Sequence, residues 1–356
     1  MSSHVDPGPP GPTYSFYKAV VAILVFAVLA LVGIWTGSRD KGGGGALYHE
    51  VRLLMDTGVE IMIPADGPAE AGDIGNRVFD LMEELEGRFS RNLAGSELSA
   101  VNDGAGSGPV EVSLDTIKLL EQAWHYSELS GGAFDPTVAP LLDRWGFLEG
   151  DYRIPAAEEI ERLLPLVDYT RVIIDSPRSR VSFLGEGVYL DLGGIAKGYI
   201  VDRGVEQLRR SGVSYGLVDA GGDIGIIGPK PGGEPWRIGI RHPRKEDKNL
   251  AVVPLSSGAI ATSGDYERTF QRGGRRYHHI LDPDTGYPAE RLISATVVAP
   301  TAAGADALAT AVFVLGPGPG LELVESLPGV EAILVTPELE IIISSGLQGG
   351  VELVDS

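Results

Sequence analysis

Apolar positions recur along this chain at two periods, one of strands and one of helices. Val51 to Ile63 reads as an opening pair of strands, and Asp73 to Glu86 places Ile74, Val78, Leu81, Met82 and Leu85 at helical spacing. Ser113 is set to cap a second helix running towards Ser130, and Pro155 to Leu164 reads as a third with proline in its first turn. Short strands are predicted at Arg171 to Asp175, Arg180 to Phe183 and Val188 to Leu190, then a helix over Ile195 to Ser211. Further strands fall at Tyr215 to Val218, Ile224 to Ile227, Trp236 to Ile240, Ala251 to Leu255 and Ala259 to Thr262. β-Branched residues mark Ser294 to Pro300 as a strand, and Gly304 to Gly316 reads as a buried helix ending at glycine. Ala332 to Val335 and Ile341 to Ile343 close the series. Strands and helices mixed without strict alternation predict an α+β body from Ala46 onward, with no repeat and no second linker.

A different pattern precedes that body. Residues 1–18 read as a tail, and Ala19 to Trp35 is uncharged, with Lys18 before it and Arg39 and Lys41 after. Carried on to Ser38, this run spans roughly 30 Å at about 1.5 Å per residue, enough for one bilayer crossing. Residues 19–38 are therefore expected to form a transmembrane anchor. A cleaved signal segment is the alternative, although no convincing small-residue cleavage site follows. Basic residues on both flanks leave the orientation open. Residues 39–45, with four glycines in a row, read as a flexible tether to a body over 46–356.

Composition narrows the chemistry. A formal charge of −20 argues against nucleic acid as a partner, because phosphate backbones demand Lys/Arg patches. One phosphorylated ligand is still permitted, since it needs only local cations, a metal or helix N-termini. With no cysteine, thiol catalysis, Cys-ligated zinc, disulfides and a lipid-modified cysteine are all excluded.

The stretch DALAT places Asp306 and Thr310 at i and i+4, on one helix face. Two hard oxygens side by side suit Mg²⁺, which fills its shell with phosphate and water, while a capping Asp and a back-bonded Thr give the same spacing. DLGGIAKG (Asp191 to Gly198) leaves a strand through two glycines into a helix start, where backbone amides and Lys197 favour an anion. Steric need alone also produces such turns, and VDAGGDIGIIG (Val218 to Gly228) reads as a tight bend between strands. In GAFDPTVAPLLDRWGF (Gly132 to Phe147), prolines at 136 and 140 rigidify a loop that offers Phe134 and Asp135 to a ligand ring, or Trp145 and Phe147 to the core. Ala261 to Pro288 brings together four acids, the pair His278 and His279, and a DPxTG turn. A histidine there suits acid–base work, and Asp282 and Asp284 equally suit turn formation. SELSAVN (Ser96 to Asn102) adds a polar cluster or a helix cap.

Together, SELSAVN, GAFDPTVAPLLDRWGF, DLGGIAKGYIVDR, DAGGDIGIIG, ATSGDYERTF, YHHILDPDTGYP and SATVVAPTAAGADALATAVFVLG resemble the ApbE-like FAD:protein FMN transferases, in order and over essentially all of residues 46–356. The resemblance implies a mixed-sheet, T-fold-like body that binds FAD and Mg²⁺. It implies transfer of FMN to a Thr or Ser hydroxyl of a partner protein, with release of AMP. It implies targets among flavoprotein subunits of membrane redox complexes, modified on the extracytoplasmic (periplasmic) side, which an anchor in the inner or cytoplasmic membrane fits. Carried over by residue, Asp306, Thr310 and the carbonyl of Gly194 match metal-binding positions. Met55, Ala133, Phe134, Asp135, Asp191, Lys197 and Ile280 match positions that contact the flavin nucleotide, and His279 the histidine that would activate the acceptor hydroxyl. Two departures stand out. Asp56 replaces a glycine after the methionine, and Asn92 stands where many members carry an aromatic ring. A ring would stack on a flat ligand and Asn cannot, so hydrolysis of FAD to FMN and AMP is the alternative activity. A flavin-binding module without turnover is the third.

Overall fold

The computed structural model describes residues 46–354, apart from 66 and 149. It opens with a tight hairpin, β1 (Leu47–Leu54) and β2 (Thr57–Pro64), antiparallel across Met55 and Asp56. Both turn residues are left-handed, with φ of 52° and 57°, the primed geometry whose twist matches paired strands. Helix α1 (Pro68–Phe89) extends the predicted apolar stripe at both ends. The SELSAVN cluster is helix α2 (Glu97–Asp103), with the Ser99 N–H donating to the Ser96 hydroxyl at 2.9 Å. After β3 (Val110–Glu111), α3 (Leu114–Leu129) is capped by Ser113 as expected. The proline-rich segment expected as a loop is instead a 3-10 turn, Pro136–Val138, running into α4 (Ala139–Trp145), where Pro140 occupies the first turn and removes no needed donor. Helix α5 (Ala157–Leu163) begins beyond Pro155, because the Glu159 carboxylate accepts from the Ala156 N–H at 2.9 Å.

Strands β4 (Val172–Asp175) and β5 (Arg180–Phe183) join β3 in a three-stranded sheet. Val188 to Leu190, expected as a strand, is irregular. The Asn102 amide accepts from the Leu190 N–H at 2.8 Å and donates to its carbonyl at 3.0 Å, so one side chain replaces a strand neighbour. Helix α6 (Ala196–Arg210) leads to β6 (Gly216–Ala220), β7 (Asp223–Gly228), β8 (Trp236–Arg241), β9 (Asn249–Leu255) and β10 (Gly258–Gly264). A hairpin that the hydrophobic pattern did not reveal follows, β11 (Thr269–Arg272) and β12 (Arg275–His278). Next come β13 (Ser294–Ala299), α7 (Ala302–Leu315), α8 (Pro317–Ser326), β14 (Glu331–Val335), β15 (Ile341–Ile343) and β16 (Glu352–Leu353).

The main sheet has eight strands in the order β1-β2-β6-β7-β10-β13-β14-β15. The body is thus α+β as expected, but this sheet is antiparallel at every pairing rather than mixed. Side chains alternate across it. Val218, Ala259, Ala261, Val297 and Leu334 belong to the core shared with α1, α6 and α7, whereas Leu217, Ile226, Ile260, Val298 and Ile333 pack with Trp236, Ile238 and Ile240. The latter come from the three-stranded sheet β16-β9-β8, so the main sheet is a middle layer. Helix α7 lies in the first core, and each residue from Ala302 to Val314 is buried except Thr310. Among the described residues no helix is long and apolar enough to cross a membrane. The anchor expected at 19–38 and the tether at 39–45 lie outside the described residues.

Candidate active site

Small residues let α7 sit against its neighbours, and that closeness places the partly exposed side chain of Thr310. A Cβ on Gly198 would meet the backbone of Ala302 and Ala303, and one on Gly194 would lie 3.2 Å from the Thr310 hydroxyl and from the Phe134 ring. The starts of α6 and α7 are therefore in backbone contact. The Asp202 carboxylate, on α6, accepts from the Ala302 N–H at 2.7 Å and the Ala303 N–H at 2.9 Å, capping α7 across the chain.

Above Thr310 opens a cleft of about 400 Å³, a size usual for small-ligand sites. Met55, Ala133, Phe134, Asp135, Asp191, Gly194, Lys197, His279, Ile280, Asp306 and Thr310 all line it, so the structure brings these separate segments together. Asn92 is exposed and is not among the lining residues. Asp135 reaches the wall, yet its Oδ1 accepts from the Thr137 N–H and hydroxyl and its Oδ2 from the Tyr169 N–H, so the carboxylate shapes the loop. Burial raises its pKa despite those bonds. His278 points away, bonded through Nε2 to the Ala289 carbonyl at 2.9 Å and set edge-on to Phe313.

The anion-binding turn is less open than its sequence suggests. The Gly193 N–H donates to Asp191 Oδ1 at 2.8 Å, the Gly198 N–H to Asp306 Oδ2 at 3.2 Å, and the Ile195 and Ala196 N–H groups to the Leu192 carbonyl. Lys197 is paired too, its Nζ 3.1 Å from Asp223 Oδ1. Burial works against the lysine's charge, but Asp223 and Asp306 outweigh it and hold its pKa above the usual value.

Besides Asp202, three contributors escaped sequence reasoning. Arg91, largely buried, pairs through Nε with Asp191 at 2.7 Å and through Nη2 with Asp143 at 2.8 Å, tying the turn to α4. The Ser263 hydroxyl lies 3.2 Å from that of Thr310. Asp223 is 2 % exposed, and its Oδ2 has no hydrogen-bond donor although it faces the Asp306 carboxylate. Burial, and then the charge of Asp223, raise the pKa of Asp306 well above the carboxylate range. Burial raises that of Asp223 as well, with Lys197 opposing.

This donor set fits a small hard cation. Two facing buried carboxylates, one oxygen lacking any donor, adjoin the hydroxyls of Thr310 and Ser263 and the backbone of Gly194. Among the described residues no group of three or more His, Asp or Glu side chains surrounds a metal position, so the remaining ligands would be hydroxyls, carbonyls and water. Charge leads to the same place. Besides Asp306, four carboxylates and three cationic side chains line the cleft, a balance with no net positive charge to hold a phosphate dianion unless a cation enters with it. His279 is neutral here: burial, then Arg268 and His278, push its pKa down to about 3.

Asp219 on β6 extends the acidic tract. Burial, opposed by the Gly222 N–H bond at 2.8 Å and reinforced by Glu60 and Asp223, raises its pKa to about 6. A carboxyl whose folded pKa exceeds the unfolded one favours the fold while protonated, and stability falls as pH rises from about 4 through about 6. Asp219→Asn should therefore leave stability near pH 4 unchanged and raise it at pH 8 by about 1–3 kcal/mol. Denaturant midpoints of both proteins at the two pH values check this, and equal midpoints at pH 8 contradict it.

Comparison with known proteins matches this architecture. A model of the ApbE family matches residues 55–334. A Treponema pallidum relative named FAD:protein FMN transferase is 34% identical over 345 residues, 92% of this chain and 95% of the relative. The crystal structure of an ApbE protein from Thermotoga maritima superposes with a TM-score of 0.80 at 39% identity, covering 86% of this chain and 99% of its own. The flavinyl transferase ApbE of Pseudomonas stutzeri gives 0.77 at 31% identity, covering 87% and 98%.

Proposed function

This chain belongs to the ApbE family and is an enzyme of the FAD:protein FMN transferase type, and from that premise we propose that it moves FMN from FAD to a threonine or serine hydroxyl of a partner flavoprotein, with Mg²⁺ bound and AMP released. The observation that carries the metal dependence is the donorless oxygen of Asp223 facing Asp306 on the cleft floor. Asp306, Thr310 and the Gly194 carbonyl would hold Mg²⁺, with Asp223 and Ser263 adjoining. When bound, the ion neutralises charge on the diphosphate oxygens and on the departing AMP.

The chain's own residues supply the rest. Lys197, kept charged by Asp223, is placed to share the load on the diphosphate. Arg91 fixes Asp191, and Asp191 fixes the glycine turn, so the phosphate seat is formed before substrate arrives. Phe134 and Ile280 offer apolar wall to a flat ring. His279 is neutral here and would take the hydroxyl proton, its low basicity being raised when the negative diphosphate lies beside it. Residues 19–38 anchor the body in the inner or cytoplasmic membrane with the catalyst on the periplasmic side, where a subunit of a membrane redox complex is within reach.

The test is to incubate the full chain in detergent with FAD, Mg²⁺ and a threonine-containing target, and to measure AMP and target-bound flavin fluorescence. Transfer makes the two rise together. AMP alone means water replaces the hydroxyl, and neither signal means a flavin-binding module.

A further inference from the structure

Charge is unevenly distributed along this acidic chain. Between Arg241 and Arg276 stand eight Lys and Arg residues against four Asp and Glu, a net of +4, which leaves −24 on the remainder of a chain whose total is −20. The fold gathers these cations instead of dispersing them. Arg244, in the turn between β8 and β9, grips Asp265 with both terminal nitrogens at 2.7 Å, and Arg276 of β12 approaches the same carboxylate at 3.4 Å. Arg241 lies 3.6 Å from Glu267 and 5.1 Å over the Tyr266 ring. One buried carboxylate thus joins two guanidinium groups from different elements, and a positive surplus remains. Arg275 is paired with Glu290, but Lys245, Lys248, Arg268 and Arg272 are exposed and have no ion-pair partner among the described residues, and they outnumber the two exposed acids of the same turn, Glu246 and Asp247.

This surface adjoins the mouth of the cleft. Gly264, Glu267 and Arg268 line the cleft, whereas Arg244, Lys245, Lys248, Arg272 and Arg276 do not. Cations outside the ligand space cannot be the seat of a dinucleotide's phosphates, for which Lys197 stands inside the cleft. They meet whatever approaches from outside. We infer that the surface built from the β8–β9 turn and the β11–β12 hairpin docks an acidic segment of the acceptor protein beside its target hydroxyl. This rests on the transferase reading, in which a macromolecular acceptor must enter by this mouth. Elsewhere a net charge of −24 repels such a partner, so complementary charge both steers its approach and selects this face. Beside the patch Tyr152, 39% exposed, stacks on Phe270 at 5.2 Å and 11°, giving the docked segment a flat apolar margin.

The experiment uses the full chain in detergent with FAD and Mg²⁺, and two synthetic peptides that each hold one threonine. In one the flanking residues are Asp and Glu, in the other Asn and Gln. Covalent flavin fluorescence should give a KM about tenfold lower for the acidic peptide at low salt, with the advantage shrinking as salt rises. In the double variant Lys248→Glu/Arg272→Glu the preference should vanish or invert, while FAD affinity stays within about twofold of wild type. Equal KM values for the two peptides, or a preference that survives the double reversal, overturn the proposal. So does reversal-sensitive binding to phosphatidylglycerol vesicles without any peptide preference, which would make the patch a lipid surface. Failure of both peptides to acquire flavin, with a full protein target also unmodified, instead overturns the transferase reading on which the proposal rests.

Discussion

Asp306→Asn is expected to lower FAD-dependent AMP release and flavin attachment by at least about 10²–10³-fold, because it removes the one carboxylate that α7 supplies to the cleft, the group proposed to hold the cation. The same change should not weaken the metal-free fold. Asp306 and Asp223 face each other with raised pKa values, so ionising both destabilises the folded state. Each is an acid held above its unfolded value. Their contribution is intact below the ordinary carboxylate range and declines as pH rises through the folded values. Thermal melts at pH 5 and pH 8 should accordingly show metal-free wild type losing stability with pH and the Asn variant losing less. Mg²⁺ should restore wild type at pH 8 and leave the variant unmoved. Turnover within tenfold of wild type would remove Asp306 from the centre of the chemistry.

Gly198→Ala should cost about 3 kcal/mol and most of the activity together. The added methyl would fall on the Ala302 carbonyl and the Ala303 nitrogen, and backbone cannot swing aside as a flexible side chain can. Helices α6 and α7 would have to part, which would stretch the Gly198 N–H bond to Asp306 and pull Lys197 from Asp223. The lost denaturant midpoint and the lost AMP release should both appear in this variant. Gly87→Ala, where a Cβ meets nothing within 4 Å, should show neither. Wild-type behaviour at position 198 would mean that the two helix starts are not locked.

The fold was legible wherever burial alone decides a residue's type. Strands β13 and β14 and helix α7 read clearly because they sit in the core on one or both faces, and apolar spacing then states their period. Helix α8 did not, since PGPG at its start looks like a loop although Pro317 needs no N–H there. The β11–β12 hairpin is short and arginine-rich, and its apolar face is one cross-strand pair, Phe270 and Tyr277 beside Trp145 and Phe147, too little to state a period. Its one sequence signal is the pair Gly273 and Gly274, left-handed at 61° and 78°.

At the site, Asp306 and Thr310 were visible because one helix turn separates them. Arg91, Asp202, Asp223 and Ser263 were not. Their partners, Asp191, the start of α7, Lys197 and Thr310, stand tens of residues away, and no local spacing encodes such a meeting. The tight turn carrying Asp223 was read correctly as a bend, with φ of 61° and 100° at Gly221 and Gly222. What the bend delivers, a carboxylate under the cleft, appears only when β7 is laid beside α6 and α7.

Strand β1 begins at Leu47 and hands over at Leu54 to the methionine that borders the cleft. At about 3.3 Å per residue, its eight residues separate those two points by roughly 26 Å. A fluorophore or purification handle grafted just ahead of Leu47 would therefore join the catalyst a full strand's length from the reacting bond. The same distance makes that position a sound place to tether the enzyme to a bead or an electrode while turnover is watched.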